Sequence, residues 1–151
     1  MQFFYRLVGT GWAEARLANG TSETTVTASY LSDALGLLLE AVGTLLEGAD
    51  EARCSWDEEP GEYRWIFGRS GESVHLRVLA FPELWGRRPD AEGSLVFEVQ
   101  ERLLEIATAI ADGASDVLGR HGEEGYLATW VDAPFPSAHL ELLRRQIARP
   151  R

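Results

Sequence analysis

The fold is decided by residues 52–81, ARCSWDEEPGEYRWIFGRSGESVHLRVLAF, which contain three predicted strands joined by short turns. The strands are predicted at 52–57, 62–68 and 72–81, with turns at Glu58-Glu59-Pro60-Gly61 and around Arg69-Ser70. Each turn fixes a register, and the two registers place the same alternating residues on one face. We assign that face to the core: Ala52, Cys54, Trp56, Tyr63, Trp65, Phe67, Val74, Leu76, Val78 and Ala80.

Before this stretch, the sequence predicts three more strands, at 2–8, 11–18 and 21–29. Gly9-Thr10-Gly11 is a tight hairpin signal, and Asn19-Gly20 is typical of a type I′ turn. Taken as a two-residue loop, Asn19-Gly20 sets Arg16 opposite Glu23 as a cross-strand charge pair.

Three helices complete the predicted elements. The first helix is predicted from apolar residues that recur every three or four positions: Leu31, Leu35, Leu38, Val42 and Leu45. Ser29 or Ser32 is its predicted N-cap, and Gly48 its predicted end. Close packing is expected where this helix carries glycine, at Gly36 and Gly43. A long helix is predicted from about 95 to 119, although 95–99 also suits a strand, and a last helix at 138–148; the segment 122–136 stays unassigned.

The order βββ-α-βββ-α-α predicts an α+β fold. We expect a two-layer sandwich, with helices packed on one face of an antiparallel sheet of about six strands. Because no repeat or linker interrupts the 151 residues, residues 1–151 are predicted to form a single domain.

Composition excludes several function classes. The net charge is -10, which disfavours nucleic acid as a partner because phosphates require cations. All 14 cationic side chains are Arg, a bias typical of GC-rich bacterial genomes, so Schiff-base and P-loop lysines are absent. The single Cys54 excludes an internal disulfide, and with no signal peptide or membrane span in the sequence we expect a cytoplasmic protein.

The sequence predicts no catalytic residue, metal site or cofactor. His75, His121 and His139 are far apart and form no metal-ligand pair, while Cys54 falls on the core face. The carboxylates between Asp57 and Glu62 crowd one turn without the ligand spacing of a calcium loop. We therefore lean against an enzyme.

One basic cluster falls on the face of the predicted sheet opposite the core: Arg53, Arg64, His75 and Arg77. The predicted register puts Arg64 beside His75 and Glu62 beside Arg77. An anion site has this composition, and so does an ordinary solvated face.

Apolar side chains extend the same outer face and predict an interface: Phe3, Tyr5, Trp12, Ile66 and Leu79.

Three functions follow as hypotheses. The first is a non-catalytic domain that binds a protein partner or itself, as a homodimer. The second is an immunity or antitoxin-like protein that neutralises a basic toxin. The third is a binder of, or enzyme acting on, a small anionic ligand through the Arg and His cluster.

Overall fold

The computed structural model describes residues 1–83 and 85–151, in which the chain forms seven strands and three α-helices. The predicted α+β class is confirmed, with one strand more than the sequence suggested. The elements are β1 Gln2–Leu7, β2 Trp12–Ala18, β3 Glu23–Ser29, α1 Ala34–Leu46, β4 Glu51–Asp57, β5 Glu62–Ser70, β6 Ser73–Phe81, β7 Ser94–Arg102, α2 Leu103–Trp130 and α3 Ser137–Ala148.

The strands form two antiparallel sheets rather than one. The first has the order β1-β2-β3 and the second the order β4-β5-β6-β7. The β-rich run 95–99 belongs to strand β7 and not to the long helix. That helix, α2, is interrupted at Gly122, whose φ of 68° is non-helical, so the chain from 123 to 130 turns in a new direction. Helix α1 begins at an N-cap that the sequence analysis missed, Asp33, whose carboxylate accepts from the Gly36 N–H at 3.1 Å.

The predicted core face of the four-stranded sheet is confirmed. Its members are buried or partly buried, and Trp56 also donates from its indole N–H to the Ala34 carbonyl at 2.9 Å. The register between β5 and β6 differs from the prediction: Arg64 lies opposite Leu79, and His75 lies opposite Gly68. The turn falls at Gly71, with φ 62°, later than predicted, so β5 extends to Ser70 and β6 begins at Ser73. Each residue keeps its face because the register differs by an even number of residues.

The predicted outer position of Phe3 and Tyr5 is wrong. Strand β1 pairs with β2 so that Phe3 lies opposite Leu17 and Tyr5 opposite Ala15, on the core side. Both rings are buried, and only Trp12 of the predicted trio stays on the outer side, half-buried. The loop after β1 sets this register, and a difference of one residue moves every β1 side chain to the other face.

The loop after β2 is wider than a type I′ turn. The Asn19 carboxamide oxygen accepts from the backbone N–H groups of Thr21 and Ser22 at 2.9 and 2.8 Å, which closes a four-residue loop. Glu23 therefore lies opposite Ala18 rather than Arg16. Arg16 still reaches Glu23 diagonally, at 3.4 Å.

The main core joins both sheets and the helices. Tyr5 of the first sheet packs edge-on against Trp56 of the second at 5.9 Å, and Phe3 against Trp65 at 6.3 Å. The predicted close approach at Gly43 is confirmed, because a Cβ there would lie 3.2 Å from the Gln146 side chain of α3. Within the described residues, no helix combines the length and apolarity that a bilayer crossing requires.

Candidate functional site

The outer face of the four-stranded sheet carries the predicted basic cluster. Arg53, His75 and Arg77 line one groove of about 260 Å³, together with Asp90 from the 3-10 turn that precedes β7. Arg64 does not line this groove, but it reaches Asp90 from the neighbouring row of side chains. The structure therefore brings three of the four residues together and links the fourth to them through a carboxylate.

Asp90 binds two of these arginines. Its carboxylate lies 2.8 Å from Arg53 Nη2 and 2.8 Å from Arg64 Nη1. Hydrogen bonds from Arg53 and, to a smaller extent, from Arg64 lower the pKa of Asp90, so the carboxylate is charged at neutral pH. The guanidinium of Arg64 also contacts Glu62 at 3.0 Å, donates to the Arg88 carbonyl at 2.8 Å and stacks on the Phe81 ring at 4.0 Å. Little donor capacity is left on Arg64 for an external anion.

The segment 82–93, described except for Leu84, crosses this outer face, and we call it the strap. Beneath it a second apolar cluster is buried: Ile66, Leu79 and Phe81. The strap lies so close that a Cβ on Gly93 would come within 2.6 Å of the Phe81 ring. The predicted exposure of Ile66 and Leu79 is therefore wrong, because both are buried in this cluster, with Gly93 of the strap against Leu79 and Phe81.

The remaining members of the basic cluster face a carboxylate on β7. His75 Nε2 lies 2.7 Å from Glu98 Oε2, and Arg77 is directly opposite Glu98 in the register. The cluster thus contains its own counter-ions, which is typical of a solvated sheet face and unlike a site that awaits an anion.

A larger groove, of about 560 Å³, lies along strand β4. Side chains from both faces of the strand line it, Ala52 and Cys54 from the core side and Arg53 and Ser55 from the outer side. Because alternate residues of a strand point to opposite faces, a groove that touches both must open on the strand's edge. The far wall is formed by one side of α1 and by Trp85 of the strap.

Carboxylates without an ion pair line this groove and occupy the turn that follows strand β4. Glu40 and Asp57 line it, and Glu58 and Glu59 follow in the β4–β5 turn; none of these four forms an ion pair with any residue in the described part of the chain. Burial raises the pKa of Asp57, with a further contribution from Glu62 and Glu59, and burial also raises the pKa of Glu58. The negative charge of Asp57 is thus held against burial and, to a smaller extent, against neighbouring carboxylates.

The groove was not predicted, although the sequence contains a signal for it. The two successive hairpins predicted between residues 52 and 81 make a meander whose first strand can lie at an edge of the sheet. What could not be foreseen is that α1 and Trp85 would leave a space beside that edge.

The described residues contain no group of three His, Cys, Asp or Glu side chains placed to hold a metal ion. Cys54 is a free thiol, and burial raises its pKa, so the reactive thiolate is suppressed. The β4 groove combines the edge of a strand, carboxylates and apolar side chains, which are the components of a protein-docking site.

The sequence matches no known family model and no curated protein. Among solved structures, it is similar to a chain of the CdiA-CT/CdiI toxin and immunity complex from Enterobacter cloacae. The TM-score is 0.51 at 12% identity, and the match covers 75% of this chain and 97% of that one. At this identity the likeness shows a shared fold and nothing more.

Proposed function

We propose that the chain is a non-catalytic, immunity-like protein that binds and neutralises a basic toxin protein. In this proposal residues 1–151 act as one domain, and no cofactor or metal takes part. The fold it shares with a chain of a toxin and immunity complex makes this class of function reasonable. The charge distribution carries the proposal.

That charge distribution is uneven. Nine of the 14 arginines form ion pairs with the chain's own carboxylates. The carboxylates in excess include those around the β4 groove, where Glu40 and Asp57 have no cationic neighbour within ion-pair distance among the described residues. Such a surface attracts a cationic partner and speeds its association. The anionic-ligand alternative loses support for a similar reason, because Arg53 and Arg64 of the outer face are already bound to Asp90.

The test uses the gene encoded beside that of this chain, because toxin and neutralising protein must be made together to spare the producing cell. Its product, or the C-terminal part of it, is induced in a bacterial host with and without this chain. We expect growth arrest that this chain relieves, and a purified one-to-one complex whose Kd rises at least tenfold between 50 and 500 mM salt. A neighbouring product that is harmless, or one that arrests growth equally in both strains and forms no complex, would refute the proposal.

Site of action is part of the same proposal. The free thiol of Cys54 fits the reducing cytoplasm. The alternative to binding a toxin is that the protein binds a second copy of itself as a homodimer. Light scattering of the purified protein at high concentration distinguishes the two, because the toxin-binding proposal requires a monomer when no partner is present.

A further inference from the structure

Strand β4 is one edge of the four-stranded sheet, and its backbone faces outward at every second residue. The Asp50 carbonyl accepts from the Arg69 N–H at 2.7 Å, and the Glu58 N–H donates to the Gly61 carbonyl at 2.9 Å. Because backbone groups alternate sides along an antiparallel strand, the even-numbered residues bond to β5. The odd-numbered ones therefore direct both N–H and C=O to the free edge: Glu51, Arg53, Ser55 and Asp57.

The other edge of the same sheet, β7, is used within the molecule. The Glu98 carbonyl accepts from the Asn19 side chain at 2.8 Å, and the Val96 carbonyl accepts from Thr24 Oγ1 at 2.7 Å. Across residues 1–83 and 85–151, no equivalent bond reaches the outward groups of β4. The sheet thus keeps one edge closed and one edge open to a further strand.

The walls beside the open edge suit an extended chain. Helix α1 presents a stripe of residues at helical spacing, Leu37, Glu40, Ala41 and Thr44. Leu37 is 37% exposed and Trp85, on the strap side, is 71% exposed. A strand laid in the groove would cover both apolar side chains while its backbone bonded to β4.

The charges beside the β4 edge indicate which kind of segment would bind there. Glu40 and Asp57 line the groove and Glu51 begins the strand, whereas Arg53 is held by Asp90 at 2.8 Å. Building on the proposed function, we infer that the partner docks by adding an extended, Arg- or Lys-rich segment to the β4 edge. Backbone bonds to the odd-numbered residues supply affinity, and the carboxylates supply the preference for a basic strand.

A second copy of this chain suits the edge less well. Two β4 strands paired with each other would bring Glu51 and Asp57 of one molecule against the same carboxylates of the other, and like charges in cross-strand positions repel. The test below detects that arrangement through the dependence of amide exchange on protein concentration.

The free protein gives the first measurement, amide hydrogen exchange by NMR at two concentrations. We expect the amides of Arg53 and Ser55 to exchange at least a hundredfold faster than those of Cys54 and Trp56, at both concentrations. Equal protection in the dilute sample would show that the edge is covered, and protection that appears only when concentrated would show self-pairing. Either result overturns the inference.

The second measurement uses the growth-arresting protein identified above. We expect its binding to slow exchange at Arg53 and Ser55 at least tenfold. Ser55→Pro removes an outward N–H without touching the β5 ladder, and should raise Kd at least tenfold, whereas the matched Ser55→Ala should change Kd less than twofold. If Ser55→Pro does not fold, Leu37→Arg on the exposed side of α1 replaces it with the same expected loss.

The outcomes separate the two proposals. A complex that leaves the β4 amides unprotected and tolerates Ser55→Pro would place docking elsewhere, while the neutralising function stands. If no complex forms at all, the proposed function fails, and docking at β4 fails with it.

Discussion

Charged side chains are paired on one surface of the four-stranded sheet and unpaired on another. On the outer face, Arg64 and Asp90 are joined to each other at 2.8 Å and lie under or within the strap. Along the β4 edge, Glu40 and Asp57 face a groove of about 560 Å³ and form no ion pair among the described residues. The two surfaces meet at Arg53, which lines the groove and also binds Asp90.

This difference separates charges that hold the fold from charges available to a partner. An ion pair that is mostly withdrawn from water is costly to break, since the remaining partner keeps its desolvation penalty. Burial and, to a smaller extent, neighbouring carboxylates disfavour the charge of Asp57, which destabilises the free protein slightly, and a cationic partner offsets that cost. Mutations on the two surfaces should therefore change the free energy of unfolding in opposite directions.

The largest effect is expected from Arg64→Ala. The Arg64 side chain is 11% exposed, and its loss leaves Glu62, which is buried, without a cation and removes the bonds to Arg88 and Asp90 of the strap. We expect the free energy of unfolding, measured by denaturant titration, to fall by about 3 kcal/mol. Arg88→Ala is the control, because Arg88 lies in the same strap but meets Glu83 only at the surface, at 3.4 Å; it should cost less than about 0.5 kcal/mol. Equal losses would remove the distinction between the two kinds of arginine.

Asp90→Asn tests the same surface through pH. Because Arg53 and Arg64 lower the pKa of Asp90 in the folded state, its stabilising effect is complete above the unfolded pKa of about 3.9 and disappears as pH falls through the lower folded value. We expect the variant to lose about 1.5 kcal/mol at pH 7. In urea unfolding curves the gap from wild type should stay constant from pH 8 to 5 and shrink below about pH 4. A gap independent of pH down to acid would show that Asp90 acts through packing rather than charge.

The fold was largely predictable because strand alternation survives errors in register. The turn at Gly71 was placed too early, yet Trp65 and Phe67 kept their face since the error was even. The loop after β1 allowed an odd error, and Phe3 and Tyr5 were put on the wrong side. Periodicity thus predicts which residues share a face within a strand, whereas only the loop decides which face that is.

The candidate site was less predictable because it depends on contacts between distant parts of the chain. The Arg and His cluster was found from alternation, but its carboxylate, Asp90, lies in an irregular segment without periodic signal. The contact of the strap with Leu79 and Phe81 was equally hidden. Acidic composition pointed to a basic partner without indicating which surface would meet it.

Gly93→Ala tests how closely the strap lies on the outer face. A Cβ there would sit 2.6 Å from Phe81 Cζ and 3.0 Å from Leu79 Cβ, so the strap must lift or the buried ring must shift. We expect a loss of about 1 kcal/mol in unfolding free energy and faster amide exchange in the strap. Gly86→Ala, in the same strap with nothing nearer than 3.7 Å, is the matched control and should be neutral.

The smallest effect, and the one with the opposite sign, is expected from Asp57→Asn. Burial raises the pKa of Asp57 in the folded state. The ionised carboxylate therefore destabilises the fold above that pKa, and this cost is absent below the pKa of Asp57 in the unfolded chain. Removing the charge should therefore stabilise the free protein at pH 7 by about 0.5 kcal/mol, a gain that vanishes below about pH 4. The same change should weaken binding of a basic partner and flatten its salt dependence, as calorimetric titration at two salt concentrations would measure. A variant that is more stable and binds less well identifies Asp57 as a charge kept for a partner, whereas a loss of stability would place it with Asp90 among the charges that hold the fold.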